Sequence, residues 1–204
     1  MPIVLEGRLV RLEPLGVDHL AGLLDAASES RDTYGFAMVP DGEAAMRRYI
    51  EEAIAERQRC DHLPFATRRL SDNRVVGTSR FRDLTPWTWP PGHPQQRVDR
   101  PDAPEIGYTW LAASAQRSGI NTEAKFLMLR HAFEVWDTHA VRLRTDRRNQ
   151  RSWAAIERLG ASFEGVRRAD RPGADGTVRD SAFFSITRDE WPAVRIRLEA
   201  LLGR

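Results

Sequence analysis

The hydrophobic and polar positions along the chain change their period several times, which predicts a mixture of strands and helices. Residues 3–13 alternate like a first strand, and apolar residues at helical spacing then predict a helix over 15–27. A second helix is expected over 43–59, followed by a hairpin of two strands over 63–70 and 74–84.

The second half of the chain continues the alternation. The predicted elements are, in order, a strand over 105–111, a helix over 119–136, a strand over 141–147, a helix over 150–159, strands over 162–169 and 177–187, and a last helix ending near residue 202. Gly160 is expected to end the short helix, and Thr187 with Glu190 has the pattern of a capping box before the last one. Helices dispersed among strands predict an α/β or α+β fold, with helices flanking one sheet, and 204 residues predict one domain over 1–204.

The amino-acid composition disfavours several classes of protein. Hydrophobic residues make up 41% and charged residues 29%, which disfavours disordered and collagen-like chains. Because no apolar run approaches the ~18 residues of a membrane span and no signal peptide is visible, a soluble cytoplasmic protein is expected. Cys60 is the only cysteine, and the histidines lack ligand spacing, so no metal site is expected.

The balance of charge argues against a nucleic-acid-binding protein. Lys and Arg number 31 against 29 Asp and Glu, a net charge of +2, and interleaved aromatic residues are missing. Lys125 is the only lysine. A cluster of arginines suits phosphate binding: Arg142, Arg144, Arg147, Arg148 and Arg151. The alternative is that these side chains form a solvated, salt-bridged face.

The segment QRSGINTE at residues 116–123 lies between a predicted strand and a predicted helix. A glycine-bearing loop that leads into a helix exposes unpaired N–H groups and the positive end of the helix dipole, which suits a pyrophosphate. The segment lacks both G-x-G-x-x-G and G-K-[ST], so its spacing alone leaves a purely structural junction open.

Further motifs follow in order along the chain. The runs EIGYTWL, QRSGIN and RTDRRNQRSWAAIERLGASFEG, with the long helix between the last two, resemble the GCN5-related N-acetyltransferase (GNAT) superfamily, in particular its RimJ/RimL-type branch that acetylates the N-termini of ribosomal proteins. The resemblance is strongest over residues 105–170. It implies a mixed, mostly antiparallel sheet of about seven strands that is splayed in the middle. Acetyl-CoA would lie in the split, and an amine would approach from the opposite side.

The resemblance also implies a cofactor-binding set. The family's pyrophosphate loop falls on Gln116, Arg117, Ser118, Gly119, Ile120 and Asn121. The family usually has a small residue at the last position, so Asn121 implies a shifted loop or an amide that itself bonds the ligand. Thr122 adds a hydroxyl at the helix start. Trp110 and Leu111 match positions whose backbone pairs with the pantetheine arm. Asn149 matches an asparagine that contacts the same arm, and it also suits the N-cap of the next helix.

Two residues are expected to carry the chemistry. Glu105 stands where related enzymes carry a carboxylate that acts as a general base, often through water, and a solvated glutamate is the structural alternative. Many members use a tyrosine acid seven residues after the asparagine, but this chain has Ile156 there, which excludes that mechanism at that site. Ser152 therefore takes the acid role, directly or through water, unless it is a plain surface serine.

The sequence indicates the acceptor-binding residues less specifically. Tyr34 and Phe36 lie in the loop between the first two helices, which lines the acceptor pocket in this family. Trp87 and Trp89 lie in the proline-rich stretch 85–104, which predicts a long loop that covers the site, a dimer contact or simple packing.

The sequence thus predicts an acetyl-CoA-dependent N-acetyltransferase without a metal, expected to form a homodimer. The acceptor is a primary amine, either a protein N-terminus or a small molecule such as an antibiotic or a polyamine. The alternative is a non-catalytic member that binds CoA or a partner protein, as Asn121 and Ile156 suggest.

Overall fold

The computed structural model describes residues 3–203, which form one sheet flanked by helices. The strands are β1 (Leu5–Glu6), β2 (Val10–Pro14), β3 (His62–Arg69), β4 (Arg74–Arg82), β5 (Glu105–Leu111), β6 (Ala140–Asp146), β7 (Ser162–Pro172) and β8 (Val178–Thr187). The helices are α1 (Leu20–Ser28), α2 (Gly42–Gln58), α3 (Gly119–Arg130), α4 (Gln150–Leu159) and α5 (Trp191–Leu201).

The eight strands are ordered β1-β2-β3-β4-β5-β6-β8-β7. All neighbours run antiparallel except β5 and β6, which are parallel. The predicted mixed, mostly antiparallel sheet flanked by helices is therefore confirmed, with eight strands where about seven were expected.

The predicted first strand over 3–13 is wrong, because it is broken into β1 and β2. The buried Glu123 carboxylate of α3 accepts hydrogen bonds from the amides of Arg8, Leu9 and Val10, at 3.1, 2.6 and 3.0 Å. Gly7 turns the chain here, where a Cβ would lie 2.4 Å from the carboxyl carbon of Glu123. Strand alternation alone does not reveal a turn that a distant helix holds in place.

The core lies on both faces of the sheet. On one face α1 packs on β4 and α2 on β3, while α3 packs against β2 and α5. The alternation of β4 shows that these are opposite faces. The Arg80 guanidinium lies over the ring of Tyr49 in α2, whereas its neighbour Phe81 contacts His131 and Trp136 at the end of α3.

Two helix ends differ from their predicted form. The helix expected over 119–136 is α-helical only to Arg130 and then widens into one π-helical turn at His131–Val135. Glu190 does reach back to the amide and hydroxyl of Thr187, at 2.7 and 2.9 Å, but α5 starts at Trp191, so the predicted capping box is only partly formed. Among residues 3–203, no helix combines the length and apolar character needed to span a membrane.

Candidate active site

The two edges of β5 are paired very differently. One edge follows β4 along its whole length, from Glu105 opposite Arg82 to Leu111 opposite Gly77. The other edge pairs with β6 only at Glu105 and Ile106. Within the described part of the chain, residues 107–111 have no strand partner on that side, so the sheet is parted between the carboxyl ends of β5 and β6.

A β-bulge lies in β5 where the parting begins. Thr78 is opposite Trp110 and Arg80 is opposite Gly107, so Tyr108 and Thr109 together face a single residue of β4. Tyr108 has φ of 51°, which is uncommon for a residue with a side chain. Bulges are enriched beside active sites because they re-aim backbone groups and side chains.

A buried lysine lies behind this bulge. Lys125 of α3 donates to the hydroxyls of Ser79 and Thr109, at 2.7 and 2.5 Å. Burial lowers its pKa to about 7, because water no longer solvates the ammonium group. Sequence reasoning did not assign it a role, although its status as the only lysine was a usable signal.

The loop before α3 leaves several amides available to a ligand. Ser118 is the N-cap: its hydroxyl accepts from the amide of Ile120 at 3.3 Å and donates to the carbonyl of Ala115 at 2.6 Å. Arg117 adopts φ of 57°, a left-handed conformation for a residue with a side chain. Within residues 3–203, the amides of Arg117, Ser118 and Gly119 donate to no protein acceptor. They lie at the positive end of the α3 dipole, as an anion site requires.

The other predicted loop residues have different environments. The Gln116 amide nitrogen donates to Thr33 Oγ1 at 3.0 Å and to the Leu111 carbonyl at 2.9 Å, so this side chain fixes the loop. The Asn121 side-chain oxygen is buried and has no hydrogen-bond partner in the described structure. It is thus an acceptor in need of a donor at the helix start. Ile120 and Thr122 are buried in the first turn of α3.

Glu105 lies at the closed end of the parting and is only 4% exposed. Its carboxylate is 3.0 Å from Arg144 Nε and 3.9 Å from an Arg82 nitrogen. Burial raises the pKa of Glu105, and the two arginines oppose that rise. A carboxyl with a raised pKa is suited to accept a proton near neutral pH.

Asn149 caps the helix that carries Ser152. The Asn149 side-chain oxygen accepts from the amide of Ser152 at 3.1 Å, so the structural N-cap interpretation of Asn149 is correct. The Ser152 hydroxyl makes no hydrogen bond to protein within residues 3–203. It remains available to a ligand.

The loop between α1 and α2 contacts both the end of β5 and the start of α4. Tyr34 packs edge-on against Trp110, with ring centroids 5.9 Å apart, and its hydroxyl donates to the Ala26 carbonyl. Burial raises the pKa of Tyr34. The Phe36 ring lies 4.6 Å from the guanidinium carbon of Arg148, next to the start of α4. The structure thus brings the Tyr34–Phe36 loop, the end of β5 and α4 together.

A cleft of about 500 Å³ opens beside this loop and is lined by α2 and the β7–β8 turn as well. Tyr49 lines it, and its hydroxyl bonds Thr78 Oγ1 at 2.8 Å. Thr78 in turn donates to the backbone carbonyl of Tyr108 at 3.1 Å. The cleft therefore connects to the β5 bulge through a short hydrogen-bonded path.

The two loop tryptophans lie elsewhere. Trp87 stacks on His139, with ring centroids 5.4 Å apart, and its amide donates to the buried Asp102 carboxylate. Trp89 stacks on His93 at 4.4 Å. His139 immediately precedes β6, so these rings lie where β6 begins, away from the open carboxyl ends. The structure does not bring them together with the loop before α3.

Residues 3–203 contain no group of three or more His, Cys, Asp or Glu side chains arranged to hold a metal ion.

Comparisons with known proteins agree with this geometry. The chain matches the acetyltransferase (GNAT) domain family over residues 9–162. YdaF of Bacillus subtilis (strain 168), a candidate ribosomal N-acetyltransferase, is 33% identical over 87 residues, which are 43% of this chain and 46% of YdaF. The match thus spans about half the length of that curated relative.

Solved structures share the whole fold. A GCN5-related N-acetyltransferase from Brucella melitensis is 29% identical, with a TM-score of 0.81 over 98% of this chain and 85% of that chain. The microcin C7 self-immunity acetyltransferase MccE, crystallised with acetyl-CoA and AMP, is 17% identical, with a TM-score of 0.71 over 89% of this chain and 93% of its own. The second likeness concerns the fold alone.

Proposed function

The chain belongs to the GNAT acetyltransferase family, and from this premise we propose that it transfers the acetyl group of acetyl-CoA to a primary amine. The observation that carries the proposal is the parting of β5 from β6 after Ile106, next to the unpaired amides before α3. An open strand edge suits an extended pantetheine arm, and a helix N-terminus suits a diphosphate.

Acetyl-CoA fits the groups around the parting. The amides of Arg117, Ser118 and Gly119 would hold its diphosphate. The unpaired Asn121 side-chain oxygen accepts hydrogen bonds, so it would bind an N–H or O–H group of the cofactor and not a phosphate oxygen. The open edge of β5, including Trp110 and Leu111, would receive the pantetheine arm. The Leu111 carbonyl already accepts from Gln116, so the remaining backbone groups of the edge would make these contacts.

The transfer requires one base and one acid. The amine nitrogen attacks the thioester carbonyl carbon, and Glu105 accepts the amine proton directly or through water. The carbon–sulfur bond then breaks, and the thiolate takes a proton from the Ser152 hydroxyl directly or through water. Glu105 returns the amine proton to solvent, and Ser152 regains its proton from solvent. Backbone N–H groups on the open edge of β5 would stabilise the oxyanion between these steps.

The acceptor amine would enter through the cleft beside Tyr34 and Tyr49, because the Tyr49 wall of the cleft is hydrogen-bonded through Thr78 to the β5 bulge. Two classes of acceptor are open at this point: a protein N-terminal amine, by similarity to YdaF, and a small primary amine. We also expect a homodimer in the cytoplasm, and light scattering of purified protein tests the dimer.

A panel of amines tests the activity. Incubation with acetyl-CoA should release free thiol with at least one amine, and mass spectrometry should show that amine acetylated. CoA binding without turnover of any amine or N-terminal peptide would contradict the proposal. It would instead support a non-catalytic CoA-binding protein, the alternative that Asn121 and Ile156 favour.

A further inference from the structure

One face of the sheet beyond Glu105 carries an unusual concentration of arginines. Glu105 pairs in register with Arg142, and Arg144 is opposite Phe183 on β8. Since alternate residues of a strand share a face, the side chains that lie with Glu105 can be followed across β4, β6, β8 and β7. We call this set the arginine face: Arg82, Arg142, Arg144, Arg167, Arg171 and Arg179.

The opposite face of the same strands has a different composition. There Phe163 and Phe184 pack against Trp153 of α4, with ring centroids 5.0 Å from the tryptophan in each case. Helix α4 thus packs against that side. On the arginine face Arg142 is exposed, and the Arg167 side chain is 64% exposed.

The carboxylates of this region are too few for its arginines. Asp170 faces three of them, Arg144, Arg167 and Arg171, at 3.8, 3.2 and 3.1 Å. Glu105 is shared by Arg144 and Arg82, and Asp83 lies 3.3 Å from Arg82. Asp146 is on the same face, opposite Ser181, but its carboxylate is held by Arg148 at 2.8 Å. Arg179 has no carboxylate within 4.0 Å among residues 3–203, and its Nε donates to the Ser181 hydroxyl. The excess of positive charge therefore lies beside the proposed base.

The pairing of β7 with β8 also places two of these positive charges opposite each other. Arg171 and Arg179 are direct partners on β7 and β8, and like charges directly opposite each other destabilise a sheet. Burial also lowers the pKa of Arg179; the Asp146 and Asp170 carboxylates oppose that shift, and Arg171 and Arg144 add to it. An anion placed among these three side chains would remove the repulsion.

Arg144 also lacks a partner for one of its guanidinium nitrogens. Its side chain is only 9% exposed and its Nε lies 3.0 Å from Glu105, yet its Nη2 atom is buried without a hydrogen-bond partner in the described residues. A buried guanidinium nitrogen without a partner is costly, and a carboxylate or phosphate is the group whose geometry matches an arginine fork.

We propose that the acceptor is a small amine that carries its own carboxylate or phosphate, bound by Arg144, Arg171 and Arg179 beside Glu105. This inference rests on the proposed function. Since Arg144 contacts both the base and the anion, the amine and the anionic group must be separated by only a few bonds, as in α-amino acids and aminoalkyl phosphates. An ordinary protein N-terminus has no anion at that distance.

Matched amine pairs test the proposal. Each α-amino acid is compared with its amide and its decarboxylated amine, and each aminoalkyl phosphate with the corresponding amino alcohol. The anionic member should have a kcat/KM at least ten-fold higher in one series, and that series identifies carboxylate or phosphate. Equal rates within every pair, or faster acetylation of peptide N-termini than of all anionic amines, would overturn the proposal.

Arginine variants test where the anion binds. Arg179→Gln and, separately, Arg171→Gln should reduce the ratio between anionic and neutral members to below three-fold. Arg195→Gln, an exposed arginine paired with Glu199 on α5, serves as the matched control and should keep the wild-type ratio. A purely structural role would slow both members of a pair equally, and an unchanged ratio in both variants would contradict the assignment.

A protein without turnover would disprove the proposed function but still leave this inference testable. Calorimetric titration of the same pairs into CoA-loaded protein should then show binding of the anionic member alone, and loss of that binding in Arg179→Gln. Absence of any preference for the anionic member would overturn the inference independently of catalysis.

Discussion

The two edges of β5 show how one strand serves stability on one side and chemistry on the other. Toward β4 the ladder is continuous except for one bulge, and several partners are fully buried. Toward β6 the ladder stops after Glu105 and Ile106. The paired edge satisfies its backbone groups within the protein, whereas the open edge leaves groups that only water or a ligand can satisfy.

Substitutions at the two edges should therefore have different consequences. Changes at the β4 edge should unfold the protein, because they disturb a buried ladder. Changes along the open edge and its neighbours should leave the fold intact and reduce acetyl transfer.

The largest effect is expected at Gly77, on the paired edge. Gly77 has φ of 151°, and a Cβ there would lie 2.1 Å from the Trp110 carbonyl oxygen. Gly77→Ala should lower the free energy of unfolding by at least ~3 kcal/mol, because backbone atoms cannot move aside in a buried ladder. Urea denaturation measures this.

Gly92→Ala is the matched control. Gly92 also has a positive φ, 78°, but nothing lies within 4 Å of its Cβ position. This substitution should lower the free energy of unfolding by only about 1–2 kcal/mol, the cost of the conformational strain. Similar losses in the two variants would show that the β4 ladder is not the stabilising edge.

Glu105→Gln should reduce kcat ten-fold or more, with little change in the KM for acetyl-CoA, because it removes the proton acceptor and keeps the side-chain shape. Asp170 continues to face Arg144, so the fold should persist, as circular dichroism can check. Glu43→Gln, at an exposed helix pair with Arg47, should retain wild-type kinetics. A wild-type rate in Glu105→Gln would transfer the base role elsewhere.

The pH profile sharpens the same test. A base acts when deprotonated, so kcat/KM should rise with pH through the raised pKa of Glu105 and level off above it. The Glu105→Gln variant should lose this rising limb. Persistence of the limb in the variant would assign it to another group.

Gly119→Val should raise the KM for acetyl-CoA about five-fold or more, because a Cβ at Gly119 would lie 2.7 Å from Leu9 Cδ1 and would displace the loop amides. Calorimetry with CoA should show the same loss of affinity. An unchanged KM would mean that the diphosphate does not bind at this loop.

Ser152→Ala should have the smallest effect, a decrease of about three- to ten-fold in kcat, because water can substitute for the hydroxyl in protonating the thiolate. The cap from Asn149 uses the backbone amide of Ser152, so α4 should remain stable. Ser28→Ala, an exposed hydroxyl on α1, is the control. Full activity of Ser152→Ala would show that Ser152 is not the acid.

The sequence predicted most elements because their signals are local. The range of α4 follows from Asn149 before it and Gly160 after it, and β5 and the β3–β4 hairpin follow from apolar runs between turns. The break between β1 and β2 was missed because the Glu123 carboxylate that holds it comes from a helix more than a hundred residues later.

The candidate site was predictable only in part, for the same reason. The loop before α3 has a local pattern, whereas the Glu105–Arg144 contact and the Lys125 contacts depend on which strands become neighbours. The alternating arginines at 142 and 144 were visible in the sequence, but their shared face with Arg171 and Arg179 follows from the β6-β8-β7 order.

A crystal structure of the protein with bound CoA is the most direct test of the proposed acetyl-CoA site. In that complex the diphosphate oxygens should lie within hydrogen-bond distance of the amides of residues 117–119, and the thiol should lie between β5 and β6 near the Ser152 hydroxyl. CoA bound at any other surface, or β5 and β6 paired along their full length in that complex, would contradict it.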